Sequence, residues 1–150
     1  MLGGYVCGSR DLIDFLYHRA RPFLFSTSHP PSVAASCIAA FDVLQEEPKR
    51  IEKLWANTKF FKKGLKKLGF NTGMSESPIT PVIVGEAELA HRFSRRLFEE
   101  GVFAMSIGYP TVAQGKARIR TIVTATHKRK ELKHALEILA KVGKELGILH

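Results

Sequence analysis

The sequence predicts an α+β fold: a small, mostly antiparallel sheet with helices over one face. Three observations predict it. The chain has 150 residues, 45% hydrophobic and 25% charged, which suits one ordinary domain with a real core. Beyond residue 48 the hydrophobic periods run helix, strand, helix, strand, strand, helix. Ahead of it, Glu46-Glu47-Pro48 makes a sharp internal boundary. The first third fits that sheet less well. It offers two helices, a polar loop and a lone strand, and a lone strand is not stable. It reads as a piece of a larger structure.

The elements follow in order. Residues 1–8 read as a short strand bounded by glycines. Ser9 can cap a helix carrying Leu12, Phe15, Leu16 and Arg19. That helix stops before Pro22, because the residue ahead of a proline avoids the α region. Phe23-Leu24-Phe25 is a short apolar run, and 26–31 is a loop. Pro30 or Pro31 opens a second helix predicted to bury Val33, Cys37, Ala40, Phe41 and Leu44. After Pro48 a long helix carries Ile51, Leu54, Thr58, Phe61, Leu65 and Leu68 as one stripe, and Gly69 ends it. Residues 79–84 are a β-branched run whose Pro81 suggests an edge strand. Residues 86–100 form a helix burying Leu89, Phe93 and Leu97, stopped by Gly101. Strands are predicted over 102–107 and 117–123, with a loop at 108–115 between them. The last helix, 128–146, buries Leu132, Ala135, Leu136, Leu139, Val142 and Leu146.

Composition excludes several classes. No stretch reaches the ~20 apolar residues that cross a bilayer. No basic n-region precedes an apolar h-region, so no signal peptide is visible. Cys7 and Cys37 make neither a disulfide framework nor a zinc box, and read as small buried residues. A reduced, cytoplasmic protein is the expectation. The net charge of +9 is the one unusual number. It sits on Lys59, Lys62, Lys63, Lys66 and Lys67, on Arg92, Arg95 and Arg96, and on Lys128, Arg129, Lys130 and Lys133. These lie off the apolar stripes, as a solvated surface does. A nucleic-acid module would interleave aromatics, and here the aromatics fall on buried positions.

Six histidines are scattered, and none makes a zinc pair. No metal site is expected. Two places carry more chemistry. Ser26-Thr27-Ser28 lies just ahead of a helix N-terminus. Hydroxyls, free backbone N–H groups and a helix dipole together favour a phosphate. The plainer alternative is that Ser28 or Thr27 caps the helix, and the local pattern alone favours that cap. The second place is Gly115-Lys116-Ala117-Arg118-Ile119-Arg120-Thr121. On a strand, Arg118 and Arg120 share one face and Ile119 takes the other. An arginine there can grip a carboxylate with two parallel hydrogen bonds, or can simply decorate an exposed face.

Together these segments resemble a family. Gly3-Gly4-Tyr5, Arg21-Pro22-Phe23-Leu24-Phe25-Ser26-Thr27-Ser28, the Gly115–Thr121 segment, Thr126-His127 and Gly143-Lys144-Glu145-Leu146-Gly147-Ile148 resemble the C-terminal part of the α-oxoamine synthases. These are pyridoxal-phosphate enzymes of the aspartate-aminotransferase fold (fold type I). The resemblance covers essentially the whole chain. It implies that 1–45 is the end of the large cofactor-binding domain and 46–150 the small C-terminal domain. It implies that Ser26 and Thr27 reach the cofactor phosphate of the other subunit and that Arg120 holds the amino-acid carboxylate. Its nearest branch joins glycine to an acetyl group from coenzyme A (glycine C-acetyltransferase); the 8-amino-7-oxononanoate synthases come next. A homo-oligomer, or association with a missing N-terminal half, is expected. The family's Schiff-base lysine falls a few residues ahead of the pair matching Gly3-Gly4, before Met1. No residue of this chain is therefore assigned a catalytic role, and the chain alone is expected to be inactive. The other reading is a non-enzymatic binding or assembly module derived from that domain. Two positions depart from the family: Ala113 replaces a proline, and Lys128 replaces a threonine cap, which predicts a less firm start to the last helix.

Overall fold

The computed structural model describes residues 4–149. The chain divides into two compact units, Met1–Pro48 and Lys49–His150.

The first unit is helical. Helix α1 (Arg10–Arg19) starts at Ser9, whose Oγ accepts the Leu12 N–H at 3.3 Å, as expected of a cap. It ends as expected before Pro22, at an extended Ala20. The run 23–25 does not stay extended. Arg21–Leu24 forms one helical turn, α2, with Pro22 in its opening positions, where a missing N–H costs nothing. Helix α3 (Pro31–Glu46) follows the loop. Two expectations are corrected here. Residues 4–8 form no strand, because no other strand in this unit offers a ladder; positions 1–3 of that expected strand lie outside the described residues. And α3 buries nothing: Val33 and Cys37 are half-buried, while Ala40, Phe41 and Leu44 are exposed. Its apolar stripe exists, but nothing within this unit covers it. Cys7, expected to be buried, is exposed for the same reason.

The second unit has the core. Helix α4 (Pro48–Lys67) turns Thr58, Phe61 and Leu65 inward, and Gly69 ends it at φ +94°, a conformation that disfavours any side chain. Strands β1 (Ile79–Gly85), β2 (Met105–Ile107) and β3 (Ala117–Ile122) form an antiparallel sheet in the order β1-β3-β2. Strand β1 is an edge strand, as Pro81 predicted, and Pro81 sits opposite Arg120. Strand β2 is shorter than expected. The Val102 N–H bonds to Leu97 O at 2.8 Å, and Ala104 O accepts the Ser94 hydroxyl at 2.6 Å. Those backbone groups serve the end of helix α5 (Ala87–Glu99) and not a ladder. Helix α5 buries Ala90, Phe93 and Leu97, with Leu89 half-buried. Helix α6 (Arg129–Glu145) buries Leu132, Leu139 and Val142, while Ala135, Leu136 and Leu146 are half-buried. Its start is held from inside: the Lys128 N–H donates to Glu131 Oε2 at 2.8 Å. That bond is the glutamate half of a capping box, and it offsets part of the missing threonine's contribution. The core gathers Phe61, Leu65, Val82, Phe93, Leu97, Ile119, Leu139 and Val142 between the sheet and its helices. No described helix is long and apolar enough to cross a membrane.

Candidate functional site

The hydroxyl loop lies in the first unit. Ser26, Thr27, Ser28 and His29 line a cavity of about 590 Å³ together with Gly4, Tyr17 and Phe23. The expected helix cap is not there. The N-cap of α3 is Pro30, and no side chain accepts from the first turn. None of the three hydroxyls has a hydrogen-bond partner among the described residues. They stand exposed at the wall of the cavity, one turn from a helix start whose first N–H groups have no capping side chain. That donor set fits a phosphate by number and kind. No lysine is among the residues that line the cavity.

The arginine strand lies in the second unit. Ala117, Ile119 and Thr121 of β3 are buried. Arg118 and Arg120 are on the other face, as their alternation requires. Arg118 Nε donates to Lys116 O at 3.1 Å. Arg120 is exposed, sits between Pro81 and Met105 in the sheet register, and has no ion pair or hydrogen bond among the described residues. A rigid central strand thus presents a guanidinium with its fork of donors unused. Arg120 also opens on a cavity of about 570 Å³, walled by Phe61, Val102, Leu132 and Leu139 and edged by His127 and His134.

One organising residue escaped the sequence reading. Asn57 of α4 is 5% exposed. Its Nδ2 donates to Thr124 O at 3.1 Å and to His127 O at 2.9 Å. It closes the turn that leads from β3 into α6. Within that turn His127 Nδ1 accepts the Thr124 N–H at 3.1 Å, so the proton of the neutral ring is on Nε2. A polar residue flanking an apolar stripe was the available signal. Ser106 and His91 also meet, Oγ to Nδ1 at 2.8 Å, and among the described residues no carboxylate bonds to His91 to complete a triad. Among the described residues no three His, Cys, Asp or Glu side chains gather to hold a metal.

The structure therefore brings Ser26, Thr27 and Ser28 together in one unit and places Arg118 and Arg120 on one strand face of the other. Comparison with known proteins supplies the frame for both. The family description "Aminotransferase class I and II" matches residues 1–139. The chain belongs to that family. Within it the chain falls in the α-oxoamine synthase group, whose members are pyridoxal-phosphate enzymes. It is 59% identical over 149 residues to an 8-amino-7-oxononanoate synthase of Symbiobacterium thermophilum, covering 99% of this chain and 38% of that protein. It is 56% identical over 148 residues to a Thermus thermophilus protein named 8-amino-7-oxononanoate synthase/2-amino-3-ketobutyrate coenzyme A ligase, with the same coverage. The chain thus spans a little over a third of the length of these relatives. Among solved structures, a variant of a serine palmitoyltransferase from S. paucimobilis, with a bound pyridoxal phosphate–myriocin aldimine, is similar, with a TM-score of 0.80 and 26% identity. That likeness covers 91% of this chain and 35% of the other. The expected fold, a small antiparallel sheet with covering helices in a fold type I enzyme, is borne out.

Proposed function

We propose that these residues form the C-terminal part of a pyridoxal-phosphate acyltransferase of the 8-amino-7-oxononanoate synthase type. Residues 1–45 would end its large domain, and 46–150 would be its small domain. The observation that carries the reading is the hydroxyl run: Ser26 and Thr27 line a cavity with no partner of their own, beside an uncapped helix start. In this reading they hold the cofactor phosphate. Arg120, with its guanidinium unpaired, holds the carboxylate of the amino acid. The bound cofactor would act as the electron sink for the carbanion at the amino-acid α-carbon. Arg120 would fix the orientation of that carbon, and the apolar walls around it would exclude water.

The first expectation, glycine with acetyl-coenzyme A, gives way to the synthase as main reading. Names of relatives at 53–59% identity support the synthase, all eight carrying it. The named product bears its amino group on a carbon that also carries a methyl, so its amino acid would be alanine. The acetyl reading stays as a second one because the Thermus relative carries both names. Partners in either case are an amino acid, an acyl thioester and a second subunit.

The test has two arms. The 150-residue chain is mixed with pyridoxal phosphate and reduced with borohydride. No single lysine should be labelled stoichiometrically, since no lysine lines the cavity. The chain is then co-expressed with the N-terminal portion of a relative and supplied with alanine or glycine and the matching thioesters. Condensation should appear only in the mixture, and R120K should raise the amino-acid KM by about tenfold or more. A stoichiometric adduct on one lysine of this chain would overturn the reading. So would an unchanged KM in R120K.

A further inference from the structure

The strongest charged feature of the second unit lies away from the arginine strand, on α4. This helix carries eight lysines and arginines against the single carboxylate of Glu52. It therefore holds a net +7 of the chain's +9. Lys62 is half-buried and donates to Ser75 O at 2.6 Å. Lys49, Lys53, Lys59, Lys63, Lys66 and Lys67 are exposed, and none has an ion pair or hydrogen bond among the described residues. At 100° per residue these six fall on the side opposite Thr58, Phe61 and Leu65. From Lys49 to Lys67 the row runs about 27 Å at 1.5 Å per residue. Elsewhere in the second unit some charges are paired, as on α5 and α6. Arg96 alone meets Glu99, Glu100 and Glu145.

We infer that the lysine face of α4 docks an acidic protein partner that presents carboxylates along a helix. Charge complementarity sets the sign of the partner. Spacing sets its form: Lys59, Lys63 and Lys67 recur every four residues, about 6 Å, and a helix with Glu or Asp at the same interval matches that step. A bilayer fits less well. Membrane-surface helices insert an apolar face, and here that face is in the core, with Phe61 4% and Leu65 0% exposed. Nucleic acid fits less well too. Only one of the eight cations is an arginine, and of the helix's three aromatics Trp55 alone is exposed, whereas a nucleic-acid face interleaves several. Phe61 is in the core, and the Phe60 ring lies 4.1 Å below the Arg129 guanidinium. Lysines at a rim act mainly on encounter rate, so the association is fast, weak and salt-sensitive.

The protein contains a built-in reporter. Trp55, its one tryptophan, is on α4 beside this face and 39% exposed. The probe is a tryptophan-free helical peptide of about 20 residues with Glu at every fourth position, with a Gln version as control. Titration at low salt should give a saturable change in Trp55 fluorescence with the Glu peptide and none with the Gln peptide. Raising the salt severalfold should weaken binding about tenfold. The triple variant K59E/K63E/K67E should weaken it about tenfold or more, and K59Q/K63Q/K67Q should do so in part. The variant K130E/K133E/K144E makes the same charge change on α6 and should stay within about twofold. Far-ultraviolet dichroism confirms that each variant is folded. No saturable change would overturn the inference, as would equal losses in the α4 and α6 variants. Tighter binding of duplex DNA or of phosphatidylserine vesicles than of the peptide at equal salt would also overturn it.

Discussion

At the scale of single residues, the described part of the second unit holds one buried side-chain polar atom that its surroundings do not satisfy. Thr80 is fully buried, and its Oγ1 has no hydrogen-bond partner, although its carbonyl accepts the Thr121 hydroxyl at 2.6 Å. A buried hydroxyl without a partner costs about 1 kcal/mol or more against a methyl of the same shape. T80V should therefore stabilise the unit by about 1 kcal/mol. The check is a higher urea midpoint at unchanged slope. Asn57 is the opposite case, a buried amide with both donors used. N57A leaves the Thr124 and His127 carbonyls without it and should cost about 2 kcal/mol. A loss below about 0.5 kcal/mol would mean that water replaces the amide. These two residues also mark what could be read from the chain beforehand. Arg118 and Arg120 were legible because alternation on a strand is a local rule. Ser26–Ser28 were legible as a site or a cap, and only the position of Pro30 as N-cap removed the cap. Asn57 reaches partners more than sixty residues away, and no local rule carries that distance.

At the scale of elements, α5 and α6 are clamped by charge as well as by core packing. Arg96 bonds Glu145 through Nε at 2.8 Å, and Lys141 bonds Glu100 at 2.6 Å. Lys141, then Arg96, holds the Glu100 carboxyl below the usual carboxylate range; Arg96 does the same for Glu145. A carboxylate depressed in the folded state adds stability above its unfolded pKa and loses it as pH falls through the folded value. The clamp is therefore complete at neutral pH and weakens below about pH 4.3. R96M should flatten that acid-side loss, and about 0.5 M salt should narrow the gap between R96M and the parent, because all four side chains are open to solvent at least in part. Thermal melts from pH 3 to pH 7 check both. The helices and their stops were legible for a physical reason: caps, prolines and glycines act within one turn. Ser9, Pro22, Gly69 and Gly101 all do so here. The burial of α3 was not legible. Periodicity shows that a helix has an apolar side, and says nothing about whether anything covers it. The 102–104 segment misled for a related reason, since its β-forming residues give their backbone groups to α5.

At the scale of the molecule, the two units differ in kind. From Lys49 onward there is a closed core, and among residues 4–48 no residue is buried. Phe25 is 77% exposed, Tyr5 71%, Ile38 64% and Phe15 60%. Aromatic contacts such as Tyr17 on Phe23, 4.8 Å between ring centres, shield little of this surface. Single exposed apolar residues are ordinary, but a run of this density over one segment marks an interface or an aggregation hazard. Burying apolar surface yields about 25 cal/mol per Å², and each large aromatic carries 150–250 Å². A few such residues covered by a second chain therefore outweigh the roughly 4–15 kcal/mol of lost rigid-body freedom. The expected outcome is self-association through the first unit. Light scattering on the purified chain should show a dimer or larger species, against 16.7 kDa for one chain, as concentration rises. F15E/F41E should return it to a monomer without lowering the melting temperature of the second unit, because neither side chain belongs to that core. Dilution should open the first unit to trypsin at Arg10 and Arg19 while the second resists, since a segment with no buried residue has little resistance to local opening. A strictly monomeric species at high concentration, with the first unit still resistant to trypsin, would contradict the prediction, because a lone chain has no core there to protect it.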